Sequence, residues 1–339
     1  MNEITIRRPD DFHVHVRQGE MLGPAARATA RHFARALVMP NTNPPILTGM
    51  EALRYGQQIK EVAPGLDLVL TIKIDPETTP NIILEASALG VKAAKLYPDG
   101  VTTGSAGGVR DFRALKSVFE TMEGTGMVLC LHGEHPGEDT FCLDREQRFL
   151  ETLHWILLEL PDLKVVMEHL STAVAADFVW EYPDDRLAAT VTAHHLELTL
   201  DDVIGDKLMP HHFCKPVAKR PADRERLINA VTEPGQTKFF LGTDSAPHDI
   251  AAKECACGAA GVFTAPLALP LLAEIFEREG TLDQLERFTS INGARFYELP
   301  PNQGTITLVR EEWTVPEQYD GVVPLRAGQS IAWQVKEEK

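Results

Sequence analysis

Cysteine is scarce in this sequence, with five in 339 residues, at positions 130, 142, 214, 255 and 257. An odd count at irregular spacing excludes a closed disulfide framework and reads as the reduced thiols of a cytoplasmic protein. Cys255-Ala256-Cys257 is half of a zinc-binding pattern, but no second pair matches it. The opening Met1-Asn2-Glu3-Ile4-Thr5 lacks the basic stretch and apolar core of a signal peptide. Every apolar run is too short, and too interrupted by charge, to span a bilayer. Positive charge is in the minority: 33 Lys and Arg stand against 49 Asp and Glu, for a net charge of −16. Without a Lys/Arg-rich run, neither nucleic acid nor an anionic membrane is an expected partner. The glycine-rich phosphate loops G-x-G-x-x-G and G-x-x-x-x-G-K-[ST] are also missing. What remains is an ordinary globular composition, 44% hydrophobic and 24% charged. The length suits one large α/β barrel or two smaller domains.

Eight apolar runs, rich in Val, Ile, Leu and Phe, read as strands: 5–16, 34–40, 67–74, 91–97, 127–132, 164–169, 187–194 and 238–244. Most are apolar at consecutive positions, as expected of parallel strands buried on both faces. Helical periodicity fills gaps between them at 50–62, 111–122, 144–160, 172–180 and 221–231. The clearest is 144–160, with Phe149, Leu150, Leu153, Ile156, Leu157 and Leu160 on one face and Asp144 placed to cap it. Eight alternations predict an α/β fold of the (β/α)8 TIM-barrel type. A doubly wound open sheet is the alternative. The segment 300–339, rich in Pro, Gly and charge, reads as a C-terminal extension packed on a single barrel domain spanning 1–339.

Chemistry in such a barrel sits where strands meet their C-terminal loops. In Asp11-Phe12-His13-Val14-His15-Val16-Arg17, residues i and i+2 of a strand share a face, so His13 and His15 project together and Arg17 continues the row. H-x-H alone is a short pattern, equally at home on a solvated strand face. Later runs, however, end on Asn41, Lys95, His132, His169, His194 and Asp244. A lone histidine in such a place is ordinarily structural, but one positional rule covering all of them implies a shared site. His13, His15, His132, His169 and Asp244 are five donors suited to zinc, too many for one tetrahedral catalytic ion. Two ions need a bridging anion. Lys95 reads two ways: as a paired or snorkelling ammonium, or as a neutral amine that captures carbon dioxide as a carbamate. Glu168, next to His169, is expected to face away by strand alternation.

The strings RRPDDFHVHVR, VMPNTNPP, AAKLYP, LHGE, EHLST, FLGTDSAPH and TLVREE run nearly end to end. Together they resemble the amidohydrolase superfamily and, within it, the short, single-function bacterial dihydroorotases of pyrimidine (UMP) biosynthesis. The resemblance implies reversible cyclisation of N-carbamoyl-L-aspartate to dihydroorotate. It implies that His13, His15, Asp244 and N6-carboxylated Lys95 hold one zinc, and that Lys95, His132 and His169 hold the other. A hydroxide would bridge the two ions, and Asp244 would be the catalytic proton carrier. Arg17, Asn41 and His248 would grip the substrate carboxylate. Backbone groups near Lys215 and Ala260 would meet the ring amides. Thr102 and Thr103 would ride on a mobile loop. A lysine at 215 departs from the usual apolar residue there. A homodimer is also implied. Two other readings compete: another cyclic-amide hydrolase such as a hydantoinase, and a non-catalytic barrel partner of pyrimidine enzymes.

Overall fold

A computed structural model of the protein describes residues 2–336. The strands that build and flank the barrel are β1 (Glu3–Arg7), β2 (Asp10–Val14), β3 (Arg35–Val38), β4 (Asp67–Val69), β5 (Thr71–Ile74), β6 (Ala93–Leu96), β7 (Val128–His132), β8 (Val165–Glu168), β9 (Leu187–Val191), β10 (Phe239–Leu241) and β11 (Thr305–Val309), and three two-residue strands follow, Trp313–Thr314, Ser330–Ile331 and Gln334–Val335. Strands β2, β3 and β4 pair in parallel, as do β5 through β10 in order. β4 and β5 are two halves of one strand, interrupted at Leu70. The result is an eight-position parallel barrel, the TIM-barrel fold. Helices such as Gly49–Val62, Arg145–Glu159 and Ala268–Arg278 lie between strands.

The barrel closes between its first and last strands through a short seam. The Asp244 amide donates to the His13 carbonyl at 2.8 Å, and the His15 amide to that of Ser245 at 3.1 Å. Asp11 sits beneath, fully buried. It accepts from the Thr243 amide at 2.8 Å, the Thr243 hydroxyl at 2.6 Å and the His13 amide at 3.2 Å. Burial pushes its carboxyl up to about 7 against these bonds.

Both faces of the strands are buried, which is why they read as unbroken apolar runs. Ile72, Ile74, Leu129, Leu131 and Met167 face the helices. Phe12, Leu37, Val69, Val128, Val166, Phe240 and Tyr297 form the plug within the barrel. Phe12 stacks on Tyr297 with centroids 4.9 Å apart and meets Phe240 edge-on at 5.4 Å. The neighbouring residues Phe12 and His13 both lie inside, against simple alternation. The cause is a bulge in β2, whose register against β3 shifts between Asp11 and Val14.

Three local expectations are corrected. The run 5–16 is two strands, broken at Pro9, and β1 leaves the barrel to pair antiparallel with β11. The run 187–194 stops at Val191, so His194 and His195 lie in a one-turn helix, Ala193–Glu197, capped by Thr192. Asp144 does not cap Arg145–Glu159 with its side chain. The neighbouring Glu146 instead turns inward, bonding the Ser171 amide at 2.9 Å and the Thr172 hydroxyl. Beyond residue 300, a two-residue strand, Gln334–Val335, pairs with the free edge of β11. The buried Trp333 there donates to Glu277 at 3.0 Å. Among the described residues no helix is long and apolar enough to cross a membrane.

Replacing Asp11 by Ala removes the acceptor for three seam donors. Stranded buried donors cost about 1–3 kcal/mol each before relaxation, so a total loss of about 2–5 kcal/mol in urea unfolding is expected. A change below about 0.5 kcal/mol would show that the seam does not depend on this carboxylate.

Candidate metal centre and active site

The buried imidazoles converge at the C-terminal mouth of the barrel. Ring centroids of His13 and His15 lie 5.3 Å apart, His13 and His169 5.0 Å, and His132 and His169 4.7 Å. Ligand atoms of His13, His169 and Asp244 all fall within 4.8 Å of one another. His15 Nε2 is 3.0 Å from Asp244 Oδ1. Lys95, fully buried on β6, places its Nζ among these groups without a hydrogen-bond partner among the described residues.

The electrostatics suit metal ligation. Burial pushes His15 down to about 4, and it lowers His132 and His169 as well, so these rings are neutral and carry a lone pair. Burial also lowers the Lys95 ammonium, only partly opposed by Glu168, Cys130 and Asp244. Burial would raise Asp244, but His13 and His15 beside it outweigh that and hold the carboxylate ionised.

Two buried carboxylates orient the rings from behind. Glu168 Oε2 lies 2.7 Å from His13 Nδ1, which leaves His13 Nε2 facing the centre. Glu134 Oε2 lies 2.8 Å from His132 Nε2, which leaves Nδ1. Thr190 links two strands: it accepts from the His169 amide at 2.7 Å and donates to Glu168 at 2.6 Å. Glu168 therefore faces inward, contrary to the alternation expected from sequence. The chain breaks alternation at the next residue, since His169 has φ 42°. Arg17 (65°) and Asp244 (45°) share this left-handed region, so Arg17 does not extend the strand row. Such positions cost a non-glycine residue about 1–3 kcal/mol and concentrate at functional sites. Gly242 makes room for the cluster, because a Cβ there would meet His13 Cβ at 2.6 Å.

The donors fit a group of divalent ions. Lone pairs converge, a carboxylate adds charge, and a buried amine lies over the Tyr97 ring at 5.2 Å with no hydrogen-bond partner among the described residues. A second cluster, His194, His195 and Cys214, also brings its ligand atoms within 4.8 Å. Two of its members are already engaged: His195 lies between the Thr192 hydroxyl at 2.9 Å and the Pro216 carbonyl at 3.0 Å, and Cys214 bonds that same carbonyl, whereas both ring nitrogens of His194 are buried without a hydrogen-bond partner among the described residues.

One small cavity, about 20 Å³, is lined by His13, His15, Arg17, Asn41, Tyr97, Thr102, Thr103, His132, His169, Lys215, Asp244 and Ala260, among others. It therefore brings together the site residues expected from sequence, except Lys95, buried behind it, and His248, held at its rim. Arg17 Nη2 lies 2.9 Å from His248 Nε2, and Arg17 Nε donates to the Pro247 carbonyl at 3.1 Å. Tyr55 steadies the Arg17 carbonyl at 2.9 Å. Burial and Arg17 push His248 down to about 3, so its ring is neutral; its Nε2 sits between the guanidinium and the Ala260 carbonyl, 3.1 Å away. Asn41 Nδ2 reaches the Thr103 carbonyl at 3.4 Å, and the Thr103 hydroxyl reaches that of Ala260 at 3.5 Å.

The sequence match to the amidohydrolase family covers residues 10–308. The chain belongs to this family. It is 48% identical to a dihydroorotase of Aromatoleum aromaticum, over 99% of this chain and 100% of the relative. Its fold superimposes on a dihydroorotase of Saccharomyces cerevisiae, solved with 5-fluoroorotic acid, with a TM-score of 0.91, 34% identity and 99% of each chain covered. A dihydroorotase of Campylobacter jejuni gives a TM-score of 0.90 at 36% identity, covering 99% of this chain and 98% of that one.

Sequence reasoning missed Glu134, Thr190 and Lys73. Glu134 was visible in Leu131-His132-Gly133-Glu134 as a carboxylate two residues past a ligand-type histidine. Lys73 was visible as a charge inside the apolar run Ile72-Lys73-Ile74.

Glu168→Gln keeps the shape and removes the anion behind His13. Metal affinity should drop about 10–100-fold, the usual effect of losing a partner behind a ligating histidine. Metal retention against a graded chelator checks it; an unchanged midpoint would make Glu168 a packing residue only.

Proposed function

We propose that the chain is a dihydroorotase, interconverting N-carbamoyl-L-aspartate and dihydroorotate in pyrimidine biosynthesis. The observation that carries the reading is the gathering of four buried histidines, an ionised Asp244 and a buried Lys95 without a hydrogen-bond partner among the described residues, beside an Arg17–His248 anion grip. The full-length dihydroorotase relatives support it. Two zinc ions are the proposed complement: His13, His15, Asp244 and carboxylated Lys95 on one side, and Lys95, His132 and His169 on the other. Zinc held by these residues would supply Lewis-acid polarisation of the amide carbonyl and a water nucleophilic near neutral pH.

The remaining work belongs to the chain. Asp244, held ionised, takes a proton from the attacking water and returns it to the ring nitrogen as the C–N bond breaks. In the closing direction the same carboxylate takes the proton from the carbamoyl nitrogen. Arg17 supplies a forked cation to the ring carboxylate, with Asn41 donating an amide hydrogen and His248 setting the guanidinium plane. Backbone groups at Lys215 and Ala260 face the ring amides. Thr102 and Thr103, on the loop over the cavity, exclude water during the step. The cavity has room for about one water molecule as the loop stands, so the loop opens to admit substrate. A cytoplasmic homodimer completes the proposal, and sedimentation of the purified protein tests its oligomeric part.

The carboxylate grip separates this reading from a hydantoinase, because a hydantoin ring carries no carboxylate for Arg17. Purified protein should open dihydroorotate and contain two zinc per chain. Opening hydantoins in preference would overturn the substrate assignment. Two zinc without turnover on any cyclic amide would favour the non-catalytic barrel.

Asp244→Asn should fold and lose about 10²–10⁴-fold activity in both directions, the typical weight of one acid–base group. Turnover near wild type at full metal occupancy would remove Asp244 from proton transfer. Lys95→Ala should lose metal and activity together, with partial rescue by an added short carboxylic acid. Lys95→Arg should not recover, since a guanidinium stays charged. A carbon-13 carbamate signal after labelled bicarbonate is the direct measurement, and its absence from zinc-replete protein would refute the bridge.

A further inference from the structure

Seven of the eight barrel positions were expected to deliver a polar group to the mouth; β4–β5 was the exception. The structure supplies one there. Lys73 pairs with Lys95 in the β5–β6 register, so the two lysines share the interior face, while Ile72 and Ile74 pack outward. Lys73 is 7% exposed. Its Nζ donates to the Gly104 carbonyl at 3.2 Å, in the loop that carries Thr102 and Thr103.

That loop is tied within itself. Ser105, fully buried, bonds both the amide and the carbonyl of Thr102, and Asp99 holds the Gly107 amide at 2.8 Å. These bonds tie the segments of the loop to one another. Its side-chain bonds to the rest of the barrel mouth, among the described residues, are three. Two are long, the Asn41–Thr103 and Thr103–Ala260 contacts at 3.4 and 3.5 Å. The third is Lys73 to Gly104, the shortest and the one carrying a charge, which makes a hydrogen bond stronger than a neutral pair does. Gly104 has φ +72°, which points its carbonyl where a side chain would be strained.

We propose that Lys73 is a positioning residue that latches the loop 99–109 over the active site through its bond to the Gly104 carbonyl. Opening the loop leaves the ammonium to solvent, and closing it restores a charge-assisted bond, so Lys73 biases the loop toward the shut arrangement. This rests on the reading of the loop as a lid, and the test separates the two.

Hydrogen exchange is followed on the zinc-loaded full chain, with and without dihydroorotate. Without ligand, peptides covering 100–108 should exchange about 5–20-fold faster in Lys73→Met than in wild type, with barrel peptides covering 128–132 and 165–168 unchanged. Lys73→Arg, which keeps charge and donors, should recover most of the protection. The value of kcat/KM should fall about tenfold in Lys73→Met with two zinc retained. Unchanged exchange at 100–108 in Lys73→Met overturns the latch. If Lys73→Met also loosens the barrel peptides, Lys73→Gln is judged by the same two comparisons. A wild-type loop no better protected with dihydroorotate than without overturns the lid reading, while the ligand-free comparison still decides the latch.

Discussion

The seam between β2 and β10 is the constraint on which the rest depends. A parallel barrel has no free edge only if its first and last strands meet, and here they meet over a few residues. Asp11, Thr243 and the backbone of His13 and Asp244 form that junction. The same bonds that close the cylinder bring two imidazoles against a carboxylate. Fold closure and site assembly are one event, because the seam residues alternate with, or are, the residues of the centre.

Above the seam, the site is built by burial used selectively. Removing water from histidines leaves them neutral and able to donate lone pairs. Removing it from Asp244 would neutralise that group too, were His13 and His15 not beside it. Glu168 and Glu134 remain buried because each has an imidazole to accept from. The apolar plug of Phe12, Phe240 and Tyr297 below supplies a buried, close-packed floor. Left-handed backbone at Arg17, His169 and Asp244 aims their side chains where an extended strand could not. That strain persists because the surrounding hydrogen bonds and packing hold it.

Much of this is legible in the sequence. Parallel strands buried on both faces write themselves as continuous apolar runs, and a barrel mouth writes itself as a polar residue at the end of each run. His13, His15, Lys95, His132, His169 and Asp244 all obeyed that rule. The partners behind them did not show. Glu168 read as outward-facing because alternation assumes regular dihedrals, and His169 abandons them one residue later. Thr190 carries no signal, since a threonine in a strand is ordinary. Lys73 was hidden in an apolar run, where one charge reads as an edge or an exception.

The sequence by itself determined the barrel, the identity of the ligand-type residues and the arginine at the barrel mouth, because periodicity and side-chain chemistry are local properties of the chain. Tertiary structure alone decided which nitrogen of each imidazole faces the centre, which carboxylates stand behind them, and which lysine ties the loop down. Those depend on contacts between residues as far apart as 155 positions, such as His13 and Glu168, and on dihedral angles that no residue type announces.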